Sequence, residues 1–202
     1  MADTRPAIVV GATGATGRQV VAALLASDRW SEVVAVVRAP RPELFAEGTP
    51  KLRVQVVPDL VGGMASAAET WPAGSTLFNA IGTTRGAAGG AAGFKAVEVG
   101  ITTAAVAAAA GAGVTHVSCV SAQGARNGWV DPWEMIHPLL YARTLWQKEQ
   151  ACISAGIPRV SIFQPGMLQV YRTRRVTVRA IIHLQNVKEA QRSTTIRLRF
   201  AE

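Results

Sequence analysis

The stretch that decides the fold is Ala7-Ile-Val-Val-Gly11-Ala-Thr-Gly14-Ala-Thr-Gly17-Arg-Gln-Val-Val-Ala-Ala-Leu-Leu-Ala-Ser27. A short apolar run ends at Gly11, three glycines follow at a spacing of three, and then Val20, Val21, Leu24 and Leu25 recur at helical spacing. The pattern predicts strand, tight turn and helix. Gly11 permits the sharp turn, Gly14 lets backbone approach a pyrophosphate that a Cβ would push away, and Gly17 lets the helix pack closely on the strand. The helix then presents unpaired N–H groups and its positive dipole end to the anion. Glycine spacing alone is a weak signal. Flanked by a buried strand and an amphipathic helix, it has the context that phosphate binding requires.

Outward from this loop, strands and helices alternate. Strands are predicted over 7–10, 33–38, 52–57, 75–81, 114–121 and 159–164, and helices over 17–27, 62–71, 94–112 and 134–155. Short Val- and Ile-rich runs without strict alternation suit strands buried on both faces. Right-handed crossovers then give a doubly wound, Rossmann-type parallel sheet with helices on both faces. Such a sheet binds ligand at the carboxyl ends of its strands. The 202 residues suit one main domain, predicted over 1–168, followed by a basic C-terminal segment over 169–202. Residues 167–202 hold 8 Lys/Arg against 2 Asp/Glu, whereas residues 1–166 hold 13 against 11. Most of the net charge of +8 therefore belongs to the tail and says nothing about a nucleotide site. The tail reads either as a solvated face or as a contact for nucleic acid or an acidic partner. The composition excludes disordered and disulfide-scaffold classes. Gly100–Val114 is too short and too weakly apolar to span a bilayer, so no membrane is expected. With a strand beginning at residue 7, no targeting peptide is expected. Cys119 and Cys152 show no metal spacing, and reduced, buried thiols fit a cytoplasmic location, with the nucleus also open.

The strand ends supply the candidate chemistry. After the second strand stands Arg38, where an NAD site usually carries an acidic residue for the ribose 2′-hydroxyl. A guanidinium suits a 2′-phosphate, which favours NADP(H) over NAD(H). The alternative is a solvated strand-end charge. Asp59, after the third strand, either accepts from an adenine amino group or closes an Asx turn or helix N-cap. After the fourth strand come Gly82, Thr83, Thr84, Arg85 and Gly86, then an Ala/Gly loop to Gly93 that reads as a mobile cover over the crevice or a plain connection. Ser121 ends the fifth strand, and Tyr141 lies on the next helix. Tyrosine would exchange a proton with a carbonyl or alcohol, and serine would polarise that oxygen. A phenol needs a nearby cation to work as a base, and the position one turn later is Leu145. His116 and His137 have no metal partner at useful spacing, so no metal site is expected. Trp129, Trp133 and Trp146 read as core or lid.

Together with Gly82-Thr-Thr-Arg-Gly86, the Gly93-Phe94 pair and Ser161-Ile-Phe-Gln-Pro165-Gly166, these residues resemble the atypical short-chain dehydrogenase/reductases, of the NmrA-like, Tat-interacting-protein type. The resemblance covers about residues 7–168. It implies an NAD(P)H-binding Rossmann fold whose cofactor contacts come from Gly11, Thr13, Gly14, Ala15, Thr16, Gly17, Arg38, Asp59, Leu60, Ala80, Gly82 and Thr83. It also implies catalysis through Tyr141 and Ser121. The family's Tyr-x-x-x-Lys pair falls on Tyr141 and Leu145, its second serine on Ala122, and its arginine before Pro-Gly on Gln164. Lys148 is seven residues beyond Tyr141, about 10 Å along a helix, too far for the family lysine's role in a regular helix. Two functions follow: an NADP(H)-dependent reductase of small carbonyl compounds, or an NADP(H)-binding redox regulator that works through a protein partner. Nucleotide-sugar epimerases and dehydratases share the fold but normally need a larger substrate domain.

Overall fold

The computed structural model describes residues 4–127, 137–166 and 196–199. Seven parallel strands form one sheet in the order β3-β2-β1-β4-β5-β6-β7. They are β1 (Arg5–Val10), β2 (Trp30–Val37), β3 (Leu52–Val56), β4 (Thr76–Asn79), β5 (His116–Val120), β6 (Arg159–Gln164) and β7 (Ile196–Arg199). Order reverses between β1 and β4, so a crevice opens at their carboxyl ends, which is where a doubly wound sheet binds its ligand. The Rossmann expectation holds. Strand β7 adds a backbone ladder along β6 from inside the basic tail. The run at 171–175 and the stretch 176–182 lie outside the described residues.

Val and Ile make both faces of the central strands apolar, and helices cover each face. Ile8, Val10, Val34, Leu77, Val117 and Ile162 pack under α2 (Met64–Ala68), α4 (Thr102–Gly111) and α5 (His137–Ile153). On the other face, Val9, Val33, Ala35 and Phe78 meet Val20, Val21 and Leu24 of α1 (Ala15–Leu25). Trp30 stands edge-on to Phe78 there, with ring centroids 5.4 Å apart.

Several boundaries differ from the sequence expectation, each for a local reason. Strand β4 stops at Asn79 rather than 81, because the Asn79 side-chain oxygen accepts the Ile81 N–H at 3.1 Å and turns the chain. The helix expected over 62–71 is reduced to α2, since Gly62 and Gly63 belong to the turn closed by Asp59. The helix expected over 94–112 starts earlier. It runs as α3 (Ala91–Lys95), a π-helical stretch (Ala96–Ile101) and α4. The Gly86–Gly93 stretch is a hydrogen-bonded turn entering α3, with Ala88 N–H on Thr84 O and Gly90 N–H on Arg85 O. The span Ala91–Gly111 is long and apolar enough by length and composition to cross a membrane. Here it lies on the sheet and buries Phe94, Glu98, Thr102, Ala105, Val106 and Ala109.

At the opposite end of the sheet from the crevice, His116 is buried at the start of β5, its Nε2 2.9 Å from Ser161 Oγ. Burial, helped by the charges of Arg159 and Arg5, lowers its pKa to about 3. The folded state therefore holds this ring neutral while the unfolded chain protonates it below about pH 6.5. The unfolded state binds more protons in that window, so the contribution of His116 is complete above 6.5 and is lost as pH falls toward 3. Urea denaturation at pH 5 should give a stability about 2 kcal/mol below that at pH 7. The H116N variant should lose most of that difference; a wild type equally stable at both pH values contradicts the assignment.

Candidate functional site

The glycine turn has the geometry its spacing predicts. Gly11 adopts φ +82°, and a Cβ there would stand 2.6 Å from the Ala80 carbonyl, so the turn lies against the end of β4. At Gly17 a Cβ would fall 2.1 Å from Gly11 O, which is why α1 approaches the turn so closely. A Cβ on Gly14 would touch only Gly11 O, at 3.3 Å, and otherwise enter the open space above the turn. This is a cradle that a side chain would fill and an anion can occupy. Gly14 caps α1 without a side-chain bond, and Arg18 N–H is the first to bond back, to Gly14 O at 3.0 Å. The N–H groups of Ala15, Thr16 and Gly17 thus face the crevice end of the helix without intrahelical partners. The residues present fit a dinucleotide pyrophosphate. Thr13 is half-buried in the same turn.

Arg38 directly follows β2 and is exposed, as is Arg18. Asp59 is also exposed; its Oδ1 accepts the Val61 N–H at 2.9 Å, and backbone N–H groups of Val61 and Gly62 hold the carboxyl below its ordinary pKa. The Asx-turn reading of Asp59 is thus realised. Leu60 is buried beneath it.

Beyond β4, Gly82 and Thr83 meet charged groups that their own stretch of sequence does not announce. Glu98, buried on the π-helical stretch, accepts the Thr83 N–H on Oε1 at 2.8 Å and Lys148 Nζ on Oε2 at 3.0 Å. Lys148, also buried, donates to the Ile81 carbonyl as well. Burial works against its charge, but Cys119 and Glu98 more than offset that and hold the ammonium above its usual pKa. Asn79 Nδ2 donates to Thr102 Oγ1 at 2.9 Å beside Cys119. The two cysteines are free and buried.

Ser121 and Tyr141 occupy separate environments. Ser121 Oγ donates to Glu149 Oε1 at 2.6 Å, and Gln164 Nε2 donates to the same oxygen at 2.7 Å. All three are buried. Glu149 Oε2 and Thr144 Oγ1 are buried with no hydrogen-bond partner among the described residues. Tyr141 is 39% exposed and stacks on Phe94, with centroids 5.9 Å apart and planes 20° apart. With Thr83, Thr84, Arg85 and Leu140 these rings line a pocket of about 210 Å³. Burial and then Glu98 raise the Tyr141 pKa, against the opposing effect of Lys148. The phenol keeps its proton at neutral pH. Leu145, in the expected lysine position, is core. Trp129 and Trp133 lie outside the described residues, as does the side chain of His137.

Sequence reasoning missed Glu98 and Glu149, and it left Lys148 too remote for a role. Glu98 did leave a signal: it is the only charged residue between Lys95 and His116, in an otherwise apolar helix. A carboxylate so placed needs a buried partner.

A family described as NAD(P)H-binding matches residues 11–193. Among curated proteins, the chain is 33% identical over 162 residues to the mitochondrial protein fmp52-2 of Aspergillus terreus and 30% identical over 162 residues to mitochondrial FMP52 of Debaryomyces hansenii. Each alignment covers 80% of this chain and 66% of the relative, so the chain spans just under two thirds of their length. These names overturn the cytoplasmic or nuclear expectation, because they assign the relatives to mitochondria. Thiol state and the position of the first strand are indirect guides to compartment. Solved structures that share the fold include the following two. ChuY, an anaerobillin reductase from Escherichia coli O157:H7, has a TM-score of 0.64 at 16% identity and is covered over 94% of each chain. MoeE5 in complex with UDP-glucose and NAD has a TM-score of 0.59 at 24% identity, over 82% of this chain and 55% of that one.

Removing one member of the Lys148–Glu98 pair leaves a buried charge alone, which costs about 3–5 kcal/mol. Chemical denaturation should show that loss in both K148M and E98Q. The K148M/E98M double variant should lie within about 2 kcal/mol of wild type, since neither charge is then stranded. A double variant as unstable as the two single losses combined would show that the pair acts through packing alone.

Proposed function

Because the chain belongs to the NAD(P)H-binding family, as an atypical short-chain-dehydrogenase-like protein, we propose that it binds NADP(H) in preference to NAD(H) and reduces a small carbonyl compound. The observation that carries the cofactor reading is the open cradle at Gly14 with the exposed Arg38 guanidinium at the end of the neighbouring strand. The first-turn N–H groups of α1 bind pyrophosphate oxygens. Arg38 would meet a 2′-phosphate, with Arg18 exposed on α1, while Arg41 pairs with Glu43 at 3.4 Å. Asp59 has lone pairs left for an adenine amino group. On the other side, Ala80, Gly82 and Thr83 would hold the nicotinamide half. A bound dihydronicotinamide supplies a hydride.

The chain's own residues supply the proton and the geometry. Tyr141, protonated and facing the pocket, donates to the substrate oxygen. Its raised pKa keeps the phenol protonated at neutral pH, the form that donates to a developing alkoxide. Ser121 has its hydroxyl proton committed to Glu149 and presents only lone pairs. One observation favours a second reading. Lys148 is paired with Glu98 and lowers the Tyr141 pKa by less than burial and Glu98 raise it, which suits a cofactor-binding regulator with slow or no turnover, acting through a protein partner.

Tryptophan-fluorescence titration should give an NADPH affinity about 10–100-fold above that for NADH, the difference worth one charge-assisted contact. R38D should erase it. Equal or tighter NADH binding by wild type overturns the cofactor assignment. With NADPH in place, Y141F should lower carbonyl-dependent oxidation at least about 100-fold if Tyr141 is the donor. Tight NADPH binding without oxidation of any carbonyl, unchanged by Y141F, leaves the regulator reading.

A further inference from the structure

Resting on the reductase reading, we propose that the pocket beside Tyr141 takes an uncharged, flat carbonyl compound built on a single aromatic ring, and that Phe94 is the specificity-determining residue. The first observation concerns charge. Glu98, Lys148 and Arg85 stand at this end of the crevice, and the protein uses each of them itself. Glu98 accepts from the Thr83 N–H at 2.8 Å and from Lys148 Nζ at 3.0 Å, and Lys148 also donates to the Ile81 carbonyl. Arg85, which lines the pocket, is likewise engaged within the protein. A carboxylate or ammonium entering here would leave water without an uncommitted counter-charge among the described lining residues, a cost that an uncharged molecule does not meet. The threonines are also occupied: Thr83 Oγ1 donates to the Thr84 carbonyl at 3.4 Å, and Thr84 Oγ1 accepts the Ala87 N–H at 3.2 Å.

The second observation concerns shape. Phe94, Tyr141 and Leu140 give the lining its apolar surface. The two rings lie within 20° of parallel with centroids 5.9 Å apart, an offset stack. Phe94 is 2% exposed and Tyr141 39%, so Phe94 backs the pair and fixes the plane of the ring that carries the open surface. A flat ring laid along this wall extends the stack, whereas a puckered ring of the same size meets it at a few atoms. The pocket holds about 210 Å³, and an apolar cavity of about 150 Å³ admits benzene, which leaves room for one ring with its carbonyl group. Gly93 holds the wall in place: a Cβ on it would lie 1.9 Å from Ala88 O, so α3 can bring Phe94 to the pocket only with glycine before it.

The test uses the whole chain and two readouts. With NADPH, 4-methylbenzaldehyde should be reduced with a kcat/KM about 10–100-fold above that for 4-carboxybenzaldehyde, which is similar in size but charged. The preference for flatness is read as a change between variants, because aldehydes differ in intrinsic reactivity. The kcat/KM ratio of benzaldehyde to cyclohexanecarbaldehyde should fall about 3–10-fold in F94L, and F94Y should keep most of the wild-type ratio. Thermal melting of F94L and its NADPH affinity check that the fold and the cofactor site are intact; F94M replaces it if F94L melts too low to assay. Separately, saturation-transfer NMR with NADP⁺ present should detect benzyl alcohol on wild type, with little signal from benzoate or cyclohexylmethanol, and the benzyl alcohol signal should drop in F94L. Reduction of the carboxylate as fast as its methyl counterpart, or a ring ratio unchanged by loss of the Phe94 ring, overturns the proposal. If no aldehyde is reduced, the reductase reading fails by itself and the NMR measurement decides: selective, Phe94-dependent binding of benzyl alcohol supports the uncharged, flat pocket, and its absence overturns it.

Discussion

The crevice wall depends on one buried ion pair. Lys148 and Glu98 are 1% and 3% exposed, with 3.0 Å between Nζ and Oε2. Two charges leave water at that position, and their mutual attraction repays the loss only if the remaining hydrogen-bonding capacity is also used. It is used on the strand-end loop: the ammonium reaches Ile81 O, and the second carboxylate oxygen takes Thr83 N–H. Three elements distant in sequence are thus tied together: α5, the π-helical stretch and the segment following β4. The extra residue of a π turn is a frequent device for aiming a side chain, and here it aims Glu98 inward.

The two halves of the crevice are built by different physics. On the β1 side the constraint is steric. Gly11 and Gly17 leave no room for a Cβ, and Gly14 leaves room only where a ligand would stand. On the β4 side the constraint is electrostatic. The ion pair sets the path of residues 81–83, and the same Glu98 that anchors the loop raises the pKa of Tyr141. This explains how the cofactor cradle is complete while the proton-transfer residues depart from the dehydrogenase pattern. Lys148 does lower the tyrosine pKa, but burial and Glu98 outweigh it, and the ammonium is held on the wall.

The fold was legible because its signals are local. Valine-rich runs, glycine at the turn and alternating strand and helix specify a parallel sheet with little help from distant contacts. The boundary errors arise where side chains override propensity, as when Asn79 closes its own turn or Asp59 takes the N–H groups that would have begun a longer α2. The glycine turn was legible for the same reason, since the steric role of Gly11 and Gly17 follows from their positions in the loop. The polar interior was not. Lys148 looked too distant from Tyr141 along α5, yet its long side chain runs across to the segment following β4 instead of along the helix. The Ser121–Glu149–Gln164 cluster joins three elements whose proximity exists only after folding.

The central claim is that a dinucleotide seats on the glycine turn against the wall held by Lys148 and Glu98. Amide hydrogen exchange with and without NADPH tests it most directly. Slowed exchange is expected at residues 11–18 and 80–84 when NADPH is present, with exchange unchanged along β3 at 52–56. Exchange unaltered at 11–18 under saturating NADPH, or protection confined to other segments, would contradict it.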